Sequence, residues 1–164
     1  MIANLKGHNT AVKCLSSIEN EPQLIASGST DTTIKIWDLR QKTSALTMKC
    51  HTSDVNSIEV APDATIILSG GSDCSVKLWD IRRGGKVLAE LDHHSAPVNH
   101  VCFNPKDLTF ATGGNDRHIK YWSVDTYQLV GESKPETHGI DKLTFDQEGR
   151  FLFTTANESL RVYS

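Results

Sequence analysis

Ser69-Gly70-Gly71-Ser72-Asp73-Cys74-Ser75-Val76-Lys77-Leu78-Trp79-Asp80 is the stretch on which the reading of this chain turns. It is too short and too rich in glycine and β-branched residues for a helix. It reads as two strand ends joined by a polar hairpin, because Gly, Ser and Asp tolerate the backbone angles a tight turn demands. The same order of residues recurs on both sides of it. Trp37, Trp79 and Trp122 are 42 and 43 residues apart, and Tyr163 follows 41 residues later. His8, His51 and His94 are each 43 apart, and each precedes a valine (Val12, Val55, Val98) by four positions. Ten residues before each tryptophan stands Ser27, Ser69 or Thr112, and six before it Asp31, Asp73 or Asp116. A period of this length is the signature of a stacked-repeat architecture.

The intervals between these markers predict short strands. Strand a falls at 12–16, 55–60 and 98–103, strand b at 24–28, 66–70 and 109–113, strand c at 33–38, 75–80 and 118–123, and strand d at 45–49, 87–91 and 128–132. Turn-forming residues fill the gaps, and Pro62 and Pro105 mark the a–b turns. No segment keeps a helical period. The expected class is all-β.

A histidine, an aspartate-bearing hairpin and a Trp-Asp dipeptide at this spacing resemble the WD repeat, a unit of β-propellers whose blades are four-stranded sheets. The signature stands here as Gly7-His8, Trp37-Asp38 and Trp79-Asp80, and it drifts to Cys50-His51, His93-His94 and Trp122-Ser123. The resemblance covers 1–164 as one propeller segment, with repeats at 7–49, 50–92, 93–135 and 136–164 and a closing strand at 2–6. It implies a hydrogen-bonded chain within each repeat: His8, Ser27, Asp31 and Trp37; His51, Ser69, Asp73 and Trp79; His94, Thr112, Asp116 and Trp122. Chemistry agrees, because an indole N–H only donates and a hydroxyl can accept from it while donating onward to an imidazole. In the fourth repeat Tyr163-Ser164 replaces Trp-Asp, Thr154 keeps the hydroxyl, Glu136 or Thr137 stands where histidine is expected, and Asn157 or Glu158 replaces the aspartate in a hairpin one residue shorter.

Ser, His and Asp together invite a catalytic reading. A nucleophile triad is normally unique in a chain and opens onto a cleft, whereas this set recurs three times at a structural period. Gly84-Gly85-Lys86 lacks the preceding glycine of a phosphate loop. The expectation is no enzyme, no cofactor and no metal site. The net charge of −3, with Arg82, Arg83 and Lys86 as the one small basic group, gives no reason to expect nucleic-acid binding. No apolar run approaches a bilayer span, and four cysteines without CxxC spacing read as reduced thiols of a cytoplasmic protein.

By the resemblance, strand d of each repeat is expected at the outer edge of the next blade, giving sixteen strands and four blades. Propellers of this family usually have seven or eight. Four blades read either as a half-ring that a second copy closes into an eight-bladed dimer or as a fragment of a larger ring, since open ends expose apolar faces and an unpaired strand. WD proteins generally grip partners at one rim, here Ala11, Lys13, Asp54, Asn56, Pro97, Asn99, Gly139 and Asp141 with hairpin residues Thr30, Ser72, Asn115 and Asn157. The implied partners are proteins or peptides, with no membrane. Residues 75–83, 96–99 with 103–105, and 158–163 are similar to the regulatory, non-catalytic subunit of katanin, which implies a scaffold associated with microtubules and the cytoskeleton. The alternative is a generic adaptor, such as a ubiquitin-ligase substrate receptor or a chromatin-associated peptide reader.

Overall fold

The computed structural model describes residues 4–18, 21–49 and 51–164. Among them are fifteen strands in four antiparallel sheets, and no helix. The first sheet is β1 (Val12–Ser17), β2 (Leu24–Ser29), β3 (Thr33–Asp38) and β4 (Thr43–Lys49). The second is β5 (Val55–Val60), β6 (Ile66–Gly71), β7 (Val76–Asp80) and β8 (Lys86–Leu91). The third is β9 (Val98–Phe103), β10 (Thr109–Gly114), β11 (Ile119–Ser123) and β12 (Leu129–Glu132). The fourth holds β13 (Lys142–Phe145), β14 (Leu152–Ala156) and β15 (Ser159–Tyr163). Each sheet is a run of consecutive strands, and the whole is a partial propeller of blades.

One expectation about connectivity is corrected. Strand d does not pass to the next blade: β4 pairs with β3, β8 with β7 and β12 with β11. The reason is local. The c–d connection is a tight turn, with Lys42 N–H bonded to the Asp38 carbonyl at 2.8 Å and Lys42 itself at φ 56°. A tight turn lays the two strands side by side and antiparallel. Of the closing strand at 2–6, residues 2 and 3 lie outside the described residues, and 4–6 carry no strand. Among the described residues fifteen strands therefore stand where sixteen were expected, and none of them pairs with the outer side of β15.

The b–c hairpins share one geometry. Thr32, Cys74 and Arg117 adopt left-handed angles of 68°, 66° and 69°, each just after the repeat's aspartate. Asn157 takes the same region at 53° in the shortened fourth hairpin, where Ala156 and Ser159 are paired across it. Asparagine accepts that region more readily than most residues.

Blades stack through a knob and a socket. At each of the three interfaces a β-branched side chain, at the start of β5 or β9 or two residues before β13, presses onto a glycine of the preceding blade's second strand. A Cβ placed on Gly28 would lie 2.7 Å from Val55 Cγ1, one on Gly70 2.6 Å from Val98 Cγ1, and one on Gly113 2.8 Å from Ile140 Cγ2. Only glycine leaves that space. Beside it, Ala26, Leu68 and Ala111 are buried in the clusters that hold Ile58, Val101 and Leu143 of the following blades. Backbone and side chain add further links: Ser16 Oγ accepts from Val60 N–H (3.1 Å), Ser57 Oγ from Val101 N–H (3.3 Å) and Glu59 from Phe103 N–H (2.6 Å). The two ends of the stack have no such cover, and Leu15 (68% exposed) and Leu160 (69%) show it.

Candidate functional site

Within the first three blades the repeat's polar residues meet. Trp37 Nε1 donates to Ser27 Oγ (2.7 Å), Ser27 Oγ lies 2.7 Å from His8 Nε2, and His8 Nδ1 lies 2.9 Å from Asp31. The second blade repeats this with Trp79–Ser69 at 3.0 Å, Ser69–His51 at 2.9 Å and His51–Asp73 at 2.9 Å. The third gives Trp122–Thr112 at 2.9 Å, Thr112–His94 at 2.8 Å and His94–Asp116 at 2.7 Å. The order of donors follows from the ends. An indole can only donate and a carboxylate can only accept, so each hydroxyl donates to Nε2 and each Nδ1–H donates to the aspartate.

The aspartates are placed by their own hairpins. Asp31 also accepts from the N–H of Asn9 and of Thr33 and from the Thr33 hydroxyl. Asp73 accepts from Thr52 N–H, Ser75 N–H and the Ser75 hydroxyl. Burial alone would raise the Asp73 carboxyl, yet these donors and His51 hold it down at about 2. The same contest leaves Asp31 and Asp116 below the usual carboxylate range. Burial lowers His51, and Asp73 only partly offsets it.

Serine, histidine and aspartate are thus in relay geometry, and access separates this arrangement from a nucleophile. Ser69 and Thr112 are fully buried, and each hydroxyl is saturated by an indole on one side and an imidazole on the other. No substrate carbonyl could reach them. What the set can do is lock strands a, b and c of a blade in register, because a buried network with every member satisfied resists slippage.

In the fourth blade Glu136 takes the histidine's place. Its N–H bonds to the Arg117 carbonyl (2.8 Å) as His51 N–H does to that of Thr32 (3.4 Å). Glu136 accepts from the Tyr163 hydroxyl and pairs with Arg161, and it is buried. Arg161 sits opposite Thr154 where Lys35, Lys77 and Lys120 sit opposite Ser27, Ser69 and Thr112. Thr154 Oγ1 is buried with no hydrogen-bond partner among the described residues. His138, out of register with the repeat's histidines, is exposed and bonded to Thr137.

The rim residues form a stitched ridge. Thr30, Ser72 and Asn115 donate their N–H to the carbonyls of Ala11, Asp54 and Pro97 (3.0, 2.8 and 2.9 Å), and Asn157 N–H bonds to the Asp141 carboxylate (3.0 Å). Neighbouring blades are joined along the same ridge. Asn56 Nδ2 donates to the Val98 carbonyl and Asn99 Nδ2 to that of Ile140, both at 2.9 Å, while Lys13 reaches Asn56 and Asp54. Gly139 packs against Asn115, where a Cβ would lie 2.9 Å from its Oδ1. Ala11, Lys13, Asn115, Asp141 and Asn157 are exposed, and the other seven are half-buried.

Two features had only a faint signal in the sequence. Glu59, on strand a, is largely buried between the second and third blades, and that burial pushes its carboxyl up to about 7 although Phe103 N–H donates to it. At the opposite rim a cleft of about 220 Å³ lies between the same two blades, walled by Pro62, Ile66, Phe103, Pro105, Leu108 and Val124. Pro62 and Pro105 had marked it only as turns. Among the described residues no cluster of His, Cys, Asp and Glu is placed to hold a metal ion.

A family model described as "Nucleolar protein 10-like, N-terminal domain", a β-propeller, matches residues 2–164. The chain is 35% identical over 131 residues to a U3 small nucleolar RNA-associated protein 15 homolog of Xenopus laevis, covering 79% of this chain and 25% of that protein. It is 31% identical over 129 residues to the Gallus gallus homolog, covering 79% and 24%. It is 26% identical over 168 residues to Pre-mRNA-processing factor 19 of Oryza sativa subsp. japonica, covering 99% and 32%. The chain thus spans about a quarter to a third of the length of these relatives. The cytoplasmic, cytoskeleton-associated placement expected from the sequence is overturned, because the matching family and the first two relatives are described as nucleolar. That placement rested on three short segments, two of them common to many WD proteins, and on cysteine usage, neither of which reports a compartment. With the Trp–Ser/Thr–His–Asp chains in three blades and a match along 2–164, this WD-repeat β-propeller chain belongs to the nucleolar protein 10-like N-terminal domain family.

Proposed function

We propose that the chain is a non-catalytic docking platform for protein within a nucleolar RNA-processing assembly. The observation that carries this is the family match along 2–164, joined by relatives named for association with U3 small nucleolar RNA. The geometry supports it: rigid sheets hold a rim in which Lys13, Asn115, Asp141 and Asn157 are exposed while their neighbours are fixed by hydrogen bonds. Loops fixed on a rigid scaffold are where such recognition concentrates. A net charge of −3 favours contact with the protein part of the assembly over contact with RNA itself. The microtubule role implied by the katanin-like segments gains nothing from these relatives' names, and we do not propose it.

The test is imaging of the tagged chain against a nucleolar marker, with recovery of U3 small nucleolar RNA from the purified complex. The expected result is nucleolar signal and U3 recovery at least about tenfold above a tag control. Charge reversals at Lys13 and Asp141, together with Asn115→Ala, should lower that recovery, whereas a reversal at Lys106 on the opposite rim should not. Diffuse signal with background U3 would refute the proposal, and recovery of spliceosomal RNA instead would move it to a pre-mRNA-processing assembly.

A further inference from the structure

On the rim opposite the histidines, the third blade departs from the repeat at two adjoining positions. The residue just before strand b is marked by one bond in the first three blades. Leu39, Ile81 and Val124 N–H donate to the carbonyls of Gln23, Thr65 and Leu108 at 2.8, 2.9 and 2.9 Å. Strand register puts Arg150 at the same place in the fourth blade. Gln23, Thr65 and Arg150 are polar there, whereas Leu108 is an aliphatic side chain left 63% exposed. The residue after each N–H donor changes as well: it is Arg40 in the first blade, Arg82 in the second and Asp125 in the third. A hydrophobic residue has entered, and a charge has changed sign, on two turns bonded to each other.

Both changes border the cleft between the second and third blades. Its floor is apolar, made by Ile66, Phe103, Leu108 and Val124. Phe103 is buried, its N–H donates to Glu59, and its ring meets Phe110 edge-on at 5.9 Å between centroids. The lips are fixed from within. Asp63 accepts from the Thr65 N–H and hydroxyl at 3.1 and 2.8 Å, and Asn104 accepts from the N–H of Lys106 and of Asp107 at 2.9 and 3.2 Å. Around the floor stand the carboxylates of Asp63, Asp107 and Asp125 and the ammonium of Lys106, all on exposed residues. Among the described residues none of the four is in an ion pair. The matching cleft between the first and second blades has Arg82 where Asp125 stands here, so the excess of negative charge belongs to this cleft.

We propose that the cleft docks a segment of a partner protein that carries one apolar anchor side chain, of leucine, methionine or phenylalanine size, with lysine or arginine on either side of it. A volume of about 220 Å³ falls below the roughly 300–1,000 Å³ of small-molecule sites, so it takes a side chain rather than a cofactor. The apolar floor buries the anchor, and turns already held by hydrogen bonds lose little freedom when it enters. The carboxylates choose the flanks, since a basic residue there is attracted and an acidic one is repelled. The cleft is remote from the rim of Lys13, Asn115 and Asp141, so this inference stands or falls separately from the nucleolar reading.

The test is fluorescence anisotropy of the whole chain against a matrix of short labelled peptides. Their central residue is leucine, methionine, phenylalanine or serine, and their flanks are basic, neutral or acidic. Apolar-centred peptides with basic flanks are expected to bind at least about tenfold more tightly than serine-centred or acid-flanked ones. Leu108→Asp, at a position already exposed to water, is expected to weaken them at least about tenfold. Asp107→Lys/Asp125→Lys should turn the preference towards acidic flanks, and Lys13→Glu on the far rim should change nothing. The two cleft variants alter different contacts, so a folding failure in one, seen by circular dichroism, leaves the other decisive. Equal binding of serine-centred peptides, or undiminished binding by Leu108→Asp, would reveal diffuse charge attraction and overturn the proposal. So would a preference of the wild type for acidic flanks, no binding by any peptide up to about 500 μM, or self-association of the chain that Leu108→Asp removes.

Discussion

The third and fourth blades carry the same strand order and differ in how their polar residues are satisfied. In the third, Thr112 Oγ1 is fully buried between Trp122 Nε1 and His94 Nε2, and the chain ends on Asp116. In the fourth, the tryptophan has become Tyr163 and the histidine Glu136, and these two bond directly, with Arg161 balancing the charge. The hydroxyl between them is bypassed, which leaves Thr154 Oγ1 buried without a partner. A phenol and a carboxylate can meet without a relay, whereas an indole and an imidazole that also serves an aspartate cannot. The comparison shows that what persists is the link from the segment entering strand a to strand c, and that the middle hydroxyl matters only when both of its neighbours need it.

The largest expected difference lies in the aromatic residue itself. Trp122 is fully buried and stacks on Phe110 with ring centroids 6.1 Å apart. Trp122→Ala should destabilise by roughly 3–5 kcal/mol, since it removes a large core side chain and orphans Thr112. Tyr163 is half-buried at an edge, and Tyr163→Ala should cost about 1–2 kcal/mol. Urea unfolding of the two variants gives the ordering, and an equal loss would mean that the fourth blade is packed as tightly as the third.

The middle hydroxyls sharpen the point. Thr112→Val keeps the shape and leaves an indole N–H and an imidazole nitrogen unpaired in the core, a loss of about 2–3 kcal/mol. Thr154→Val removes a buried hydroxyl that bonds nothing and should be neutral or stabilising by up to about 1 kcal/mol. Thermal midpoints would show the opposite signs. A destabilised Thr154→Val would mean that this hydroxyl does useful bonding after all.

A third contrast runs between blade interfaces. Ser16 and Glu59 occupy the same position, and each accepts a backbone N–H from the next blade. The serine carries no charge to bury. Burial raises the Glu59 carboxyl from its ordinary 4.5 to about 7, so the folded state holds this proton more tightly than the unfolded one. The stabilisation from that proton is complete below about pH 4.5 and is lost as pH rises through 7, a loss on the order of 3 kcal/mol. Glu59→Gln keeps an acceptor for Phe103 N–H and removes the charge. The variant should be more stable than the wild type at pH 8 and about equal at pH 4.5. Matching stability curves for both proteins across that range would rule out a buried carboxyl here.

Much of this was legible in the sequence, because repetition multiplies weak signals. The positions of Trp37, Trp79 and Trp122 fix strand c, and the serine or threonine ten residues before each fixes strand b, since the b–c hairpin leaves no freedom of register. The pairing of strand d is set by the c–d turn, a short reversal that returns the chain beside strand c and that the repeat spacing does not show. The fourth blade resisted reading because its contacts use other residue types at the same places. Glu136 was named as a candidate for the histidine's slot, yet nothing in the spacing says that it would bond Tyr163 and Arg161. The rim residues were found by position, and spacing could not show that Asn56 and Asn99 point across to the next blade. Glu59 was invisible because an alternating strand does not reveal which neighbour closes over a given residue.

The smallest expected effect tests that last distinction. Lys13 and Asn56 hold equivalent rim positions in successive blades. Asn56 Nδ2 donates to the Val98 carbonyl at 2.9 Å and to Ser72 Oγ at 3.0 Å, half-buried at the blade interface. Asn56→Ala leaves that carbonyl without its donor and should cost about 1 kcal/mol. Lys13 pairs with Asp54 at 2.9 Å, with both side chains more than a third exposed, so water already screens the pair. Lys13→Ala should cost under about 0.5 kcal/mol. Salt separates them further. Raising the salt concentration should shrink the Lys13 effect towards zero and leave the Asn56 effect unchanged, because only the first is a pair of exposed charges. If Lys13→Ala proves the costlier and stays so at 1 M salt, its alkyl stem rather than its charge is bracing the first two blades, and the rim position is structural in every blade where it occurs.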